Sequence, residues 1–163
     1  MSAHAHLRHE VFTCGVSNAL FNGLAAWLLL RAGPALTWTG AQSFMVDVLA
    51  TAFLLPLIVA LIVIPMQRRK LRAGKLQAID LGPESTLQRF ANKLPTTTFT
   101  TALSFAVIGL CIIAPITLLG FRIFDVTVIE PMNYALFKGI WAGAIAAVLV
   151  VPMVLVALRA ELV

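Results

Sequence analysis

Hydrophobic residues gather into four long runs, at about residues 11–30, 43–66, 99–119 and 131–158. Each run is close to the roughly 20 residues that a helix needs to cross hydrocarbon. The stretches between the first and second runs, and between the third and fourth, are short. One long polar stretch, residues 67–95, separates the halves. The pattern predicts an all-α integral membrane protein, a single membrane domain of four transmembrane helices arranged as two tandem helical hairpins. The first run is too long for the hydrophobic segment of a signal peptide, which is usually about 7–15 residues.

Prolines punctuate the pattern. Pro56 falls mid-span and should kink the second helix, Pro65 should end it, and Pro115 should bend the third near its outer end. Residues 96–101 are threonine-rich and supply a cap for the third helix. Within the long polar stretch, Pro83 suits a first helical position. Leu87, Phe90, Ala91 and Leu94 then fall on one side, which predicts a short amphipathic helix on the inner membrane surface or docked under the bundle.

Small and polar residues inside the runs are ordered rather than scattered. The first run carries Gly15, Ala19 and Gly23 along one seam, with Asn18 and Asn22 four residues apart beside it. The last run carries Ala135, Gly139, Gly143 and Ala147 at four-residue spacing. Such ladders let helix backbones approach closely, within one chain or between subunits. Amides in hydrocarbon need partners, so the asparagine side should face the bundle, either as a lock between helices or as the lining of a polar path.

A shift of 87 residues lays the second half over the first: Met45 on Met132, Leu49 on Leu136, Pro65 on Pro152, Met66 on Met153 and Gly33 on Gly120. Two spans per unit give both halves the same orientation, a parallel internal repeat. The same shift sets Asp47 on Tyr134 and Thr51 on Lys138, so Lys138 lies one turn, about 5.4 Å, deeper than Asp47. A lysine in the last helix leans toward its N-terminus. Its ammonium therefore reaches the level of Asp47, and an Asp47–Lys138 pair is the economical way to hold both charges in a membrane.

Composition then settles class and orientation. Hydrophobic residues make up 60% of the 163, and charged residues only 12%. The formal charge of +5 sits beside the hydrophobic runs, which fits membrane orientation and not nucleic-acid binding. Arg68, Arg69, Lys70, Arg72, Lys75, Arg89 and Lys93 fill residues 67–95, against Asp80 and Glu84. By the positive-inside rule that loop and both termini are cytoplasmic, in a cell membrane such as a bacterial inner membrane. The cluster Arg68, Arg69, Lys70, Arg72 and Lys75 is expected to meet anionic lipid head groups. No stacking aromatics interleave with it, as a single-strand binder would want.

No catalytic constellation is present: no nucleophile elbow, no phosphate loop and no histidine inside a span. The reading is of a chain that is not an enzyme and carries no cofactor and no metal. His4, His6, His9 and Glu10 make at most a loose metal set on an N-terminal tail expected to be disordered. Cys14 and Cys111 both fall in spans and read as buried free thiols. Asp47, Lys138, Asn18, Asn22, Thr51 and Tyr134 remain as a candidate intramembrane polar site. Two functions follow: a small transporter or permeation component, or a non-catalytic accessory or scaffold subunit of a larger membrane complex. Four helices leave little room for an internal cavity, so a homo-oligomer or a larger assembly is expected.

Overall fold

A computed structural model describes residues 3–82 and 84–159. Helix α1 covers Ala3–Leu30, α2 Phe44–Arg72, α3 Thr86–Lys93 and α4 Thr98–Ile108. A π-helical turn, Gly109–Ile113, joins α4 to α5, Ala114–Ile123, as one continuous rod, and α6 covers Pro131–Ala157. Four rods (α1, α2, α4–α5 and α6) are long and apolar enough to span a membrane.

Two of the helices overrun the expected ends. The N-terminal residues expected to be disordered are helical from Ala3 onward. His6 and Glu10 are held there by partners on α2: His6 Nε2 lies 3.1 Å from Gln67 Oε1, and Lys70 Nζ lies 3.5 Å from Glu10. Pro65 does not end α2, which continues through it to Arg72. The basic residues Arg69, Lys70 and Arg72 fall in the last turn, where they complement the negative end of the helix.

Neighbours in sequence are not the closest neighbours in space. Helix α1 packs along α6, and α2 packs between α6 and α4. The first helix of each consecutive pair therefore lies against the second helix of the other pair. The main core gathers Val63, Ile64, Phe105, Val150, Met153 and Leu155. Across the short connections, β1 (Leu36–Thr37) pairs antiparallel with β2 (Val128–Ile129), a ribbon the hydrophobic pattern is too brief to reveal. Trp38 beside it packs against Phe44 with the two rings tilted at 54° and their centroids 4.9 Å apart.

Pro56 illustrates how one helix depends on another. Proline has no N–H to offer the carbonyl four residues back, so the Ala52 carbonyl of α2 loses its intrahelical donor. That oxygen points at Gly109 of the α4–α5 rod, where a side chain would land on it and would also stand 3.0 Å from the Pro56 ring. Glycine lets the backbones meet and gives the oxygen a Cα–H contact. The rod takes its π-helical form from this point; Pro115 follows six residues on, and the carbonyl four residues before it, that of Cys111, lies within the π-helical turn, where the wider backbone relieves the clash with the ring. Gly109→Ala is expected to destabilise the protein by about 3 kcal/mol, the upper part of the overpacking range. A melting curve in detergent checks it; an unchanged midpoint would show that α2 and the rod can slide apart without loss.

Helix α3 begins later than expected. Ser85 is its N-cap, its side chain accepting from Gln88 N at 3.3 Å. Pro83 lies outside the described residues. The helix docks under the bundle, with Ala91 and Gln88 turned inward and Leu87 and Phe90 left partly exposed. Buried Arg159, just past α6, donates to the carbonyls of Ala91 and Leu94, fastening the end of α3 to the end of α6.

Candidate functional site

Ser43 caps α2, its hydroxyl accepting from Val46 N at 3.3 Å and donating to the Trp38 carbonyl. This fixes where the helix starts and places Asp47 in its first turn, where a carboxylate complements the positive helix end. Lys138 of α6 extends toward the start of its own helix. Its Nζ lies 2.6 Å from Asp47 Oδ1 and 2.7 Å from Oδ2. The buried Tyr134 hydroxyl, one turn nearer the start of α6, donates to Asp47 Oδ2. One carboxylate thus collects an ammonium and a phenol. The pair is not sealed: the Asp47 side chain is 35% exposed and that of Lys138 15%.

The opening belongs to a groove of about 850 Å³ between α1 and α2. Its α2 wall runs from Asp47 to Met66, about 28 Å at 1.5 Å per residue. That wall is mostly apolar, with Ala50, Leu54, Ile58 and Ile62 among its lining, and Thr51 buried one turn from Asp47. The α1 wall is polar along one edge: Glu10, Thr13, Ser17, Asn18 and Asn22 line it in succession. The groove therefore has a charged group at each end, Asp47 with Lys138 at one and Glu10 at the other.

The asparagines do not lock α1 to another helix. Asn18 Nδ2 donates to its own helix at the Cys14 carbonyl, 2.8 Å, and Asn22 Nδ2 to the Asn18 carbonyl, 3.0 Å. Both are half-buried and line the groove. The structure brings Asp47, Lys138, Tyr134 and Thr51 together at one end and sets Asn18 and Asn22 along the opposite wall.

The two small-residue ladders face each other. A methyl group built on Gly143 would stand 2.7 Å from Ala19 Cβ and 2.8 Å from the Gly15 carbonyl oxygen. One on Gly139 would stand 2.9 Å from the Ala19 oxygen and 3.2 Å from Gly23 Cα, and one on Gly15 3.1 Å from Ala147 Cβ. Near the start of α6, the Ala135 oxygen lies 3.4 Å from a methyl built on Gly23. Gly15, Ala19 and Gly23 of α1 thus mesh with Ala135, Gly139, Gly143 and Ala147 of α6 inside one chain. The α6 ladder is occupied and not free for a second subunit.

The other flank of α6 is filled. Phe121 of α5 and Phe137 of α6 lie 4.9 Å apart between ring centroids, Phe137 stacks on Trp141 at 5.9 Å, and the Trp141 indole donates to Thr117 Oγ1 at 2.9 Å.

Several participants were not singled out in the sequence. Glu10, read in the sequence only as part of a loose metal set on a tail, is buried at the end of the groove away from Asp47, with Lys70 at 3.5 Å and His6 at 3.9 Å. Gln67, fully buried, has no hydrogen-bond partner for its Nε2 among the described residues. A signal existed: Glu10, Thr13 and Ser17 repeat at helical spacing ahead of the asparagines. His4 and His9 are exposed while His6 turns inward, and the described residues hold no group of three metal ligands. Cys14 is buried, but Cys111, expected to be buried, is exposed on the outer surface of the rod.

Compared with known protein families, with curated proteins and with solved structures, the chain matches none.

Proposed function

We propose that the chain is a small multi-pass transporter or permeation component that admits an amphipathic molecule sideways, from the lipid, into the groove between α1 and α2. The observation that carries this reading is the placement of the Asp47–Lys138 pair at the mouth of that groove, partly exposed and with bonding capacity to spare. A charge pair used only as a bolt would be packed dry. The lining suits a ligand with a long apolar body, set against Leu54, Ile58 and Ile62, and a polar head able to use Asp47, Lys138 or the asparagine edge. The basic residues between α2 and α4 support an orientation in a cell membrane with that loop and the termini on the cytoplasmic side and Asp47 and Lys138 toward the outer side. No catalytic role is assigned. A homo-oligomer or larger assembly would form through faces other than the ladder on α6.

The internal repeat supports the reading. Under the 87-residue shift, Asp47 corresponds to the residue it bonds, Tyr134. Helix α1 on α6 corresponds to α4 on α2. The groove between α1 and α2 then corresponds to the flank between α4–α5 and α6, which Phe137 and Trp141 fill. Their counterparts in the first half are Ala50 and Leu54, both lining the groove. Of two related clefts, one is closed by aromatic rings and the other is open.

Refilling the groove tests this. Ala50→Phe with Leu54→Trp is expected to leave melting in detergent unchanged or raised. Native mass spectrometry of protein drawn gently from membranes is expected to find a bound small amphiphile on the wild type and none on the variant. The groove is also as long as a hydrocarbon core is thick, about 30 Å, which favours a second reading: an accessory subunit whose groove receives a helix of a larger protein. A stoichiometric membrane protein that co-purifies with the wild type and is lost from the variant would establish that reading instead.

A further inference from the structure

The basic cluster on α2 divides in the structure. Lys70 turns to Glu10 on the α1 side, at 3.5 Å. Arg68, Arg69 and Arg72 lie on the opposite side of the helix, consistent with a 100° step per residue. With Pro65 and Thr98 they line a depression of about 350 Å³ between the end of α2 and the start of α4. None of its five lining residues is acidic.

Three features give this depression the chemistry of an anion site. First, Arg68 is held in place: its Nη1 donates to Thr98 Oγ1 at 3.2 Å and its Nη2 to the Thr96 carbonyl at 2.7 Å. Its Nε is buried with no hydrogen-bond partner among the described residues. Second, like charge is crowded: Arg72 and Arg159 are near enough to Arg68 to repel it. An anion between the guanidinium groups relieves that repulsion, and the planar forks of Arg69 and Arg72 are both free to swing onto phosphate oxygens. Third, Thr98 opens α4, whose first-turn amides carry the positive end of the helix; the Thr97 hydroxyl takes that of Thr100 and the Thr97 carbonyl that of Thr101, which leaves those of Thr98 and Phe99 facing out of the helix start.

We infer that Arg68, Arg69 and Arg72, with Thr98 and the first turn of α4, form a binding site for a phosphate group, the head group of an anionic phospholipid at the edge of the membrane or a soluble phosphate ester. The site is independent of the groove. Its lip sits beside Pro65, where the apolar part of α2 gives way to the basic turn, which is the depth of a lipid phosphate. Arg69 and Arg72 are exposed and reach the ligand, while Arg68 ties the site to the start of α4.

The test uses the full-length protein in a neutral detergent. Melting temperature is followed while adding phosphatidylglycerol, phosphatidylcholine or inorganic phosphate, and bound lipid is counted by native mass spectrometry. Phosphatidylglycerol is expected to stabilise at a concentration at least tenfold below phosphatidylcholine. The preference should vanish in Arg69→Gln/Arg72→Gln, whose exposed side chains can be replaced without unfolding the protein. It should persist in Lys75→Gln/Lys93→Gln, which removes the same charge from the same end of the molecule. Stabilisation by inorganic phosphate alone, lost in the arginine variant, would assign the site to soluble phosphate esters. Equal binding of the two lipids with no effect of phosphate, or equal loss in both double variants, would overturn the site and leave only a diffuse positive surface.

Discussion

Gly143→Leu will unseat α1 from the bundle. Helix α1 has its extensive packing with α6 alone, and only 17% of its most apolar window is buried. In hydrocarbon there is no hydrophobic gain from joining two apolar helices, so close backbone approach is what holds them. At Gly143 even a methyl group would meet Ala19 Cβ at 2.7 Å and a backbone oxygen at 2.8 Å. Leucine adds three more carbons, and neither helix can yield locally. The expected loss exceeds about 4 kcal/mol, in the tail of single-substitution effects. Ala144→Leu, one residue along and exposed, should change little. Cys14 provides the readout in a Cys111→Ser background. It is buried in wild type, and its labelling by a maleimide should accelerate at least a hundredfold when α1 swings away. Unchanged labelling and an unchanged melt would mean that the ladder does not hold α1.

Removing Lys138 has the second largest expected effect. Lys138→Met leaves the Asp47 carboxylate with the Tyr134 hydroxyl and no cation within the pair. Breaking a fully buried pair costs about 3–5 kcal/mol. Because Asp47 is 35% exposed, about 2–3 kcal/mol is expected here. Asp47→Asn in the same chain should restore much of the loss, since it removes the stranded charge. The exchange Asp47→Lys with Lys138→Asp should restore only part, because the Tyr134 hydroxyl is placed to donate to position 47 and a lysine there cannot accept. Detergent melts of the single and double variants decide the matter: strictly additive losses would show that the two residues do not act as a pair.

What could be read from the sequence divides by range. The four helices were legible because their apolar runs are long and the period of small residues within them is regular. Asp47 and Lys138 could be related because charges inside apolar runs are few and the 87-residue shift of the sequence sets them one turn apart in register. The facing of Gly15, Ala19 and Gly23 onto Gly139 and Gly143 was half legible. Each ladder announced close packing, but a ladder does not name its partner. The groove was not legible, because an open cleft is made by residues that are small or absent from a contact, as at Ala50 and Leu54. Helix ends were misjudged where polar residues find partners at long range. His6 and Glu10 look like tail residues until Gln67 and Lys70 are set beside them, and Pro65 looks like a stop until Arg69 and Arg72 are seen to suit the turn beyond it.

The crossing of α1 onto α6 has a consequence for biogenesis. In vectorial synthesis α1 is made before the other three apolar rods and α6 after them. At about 5–20 residues per second, the interval between Gly15 and Gly143 is on the order of ten seconds. Throughout it, the glycine ladder of α1 is without the α6 ladder it meshes with. Of the four, α1 is also the least apolar, with a hydropathy of 1.3 against 2.5–2.7 for the others. The molecule cannot mature hairpin by hairpin. Its earliest segment stays unclaimed until its final one arrives, so truncation anywhere before α6 is expected to leave α1 to the cell's quality-control proteases.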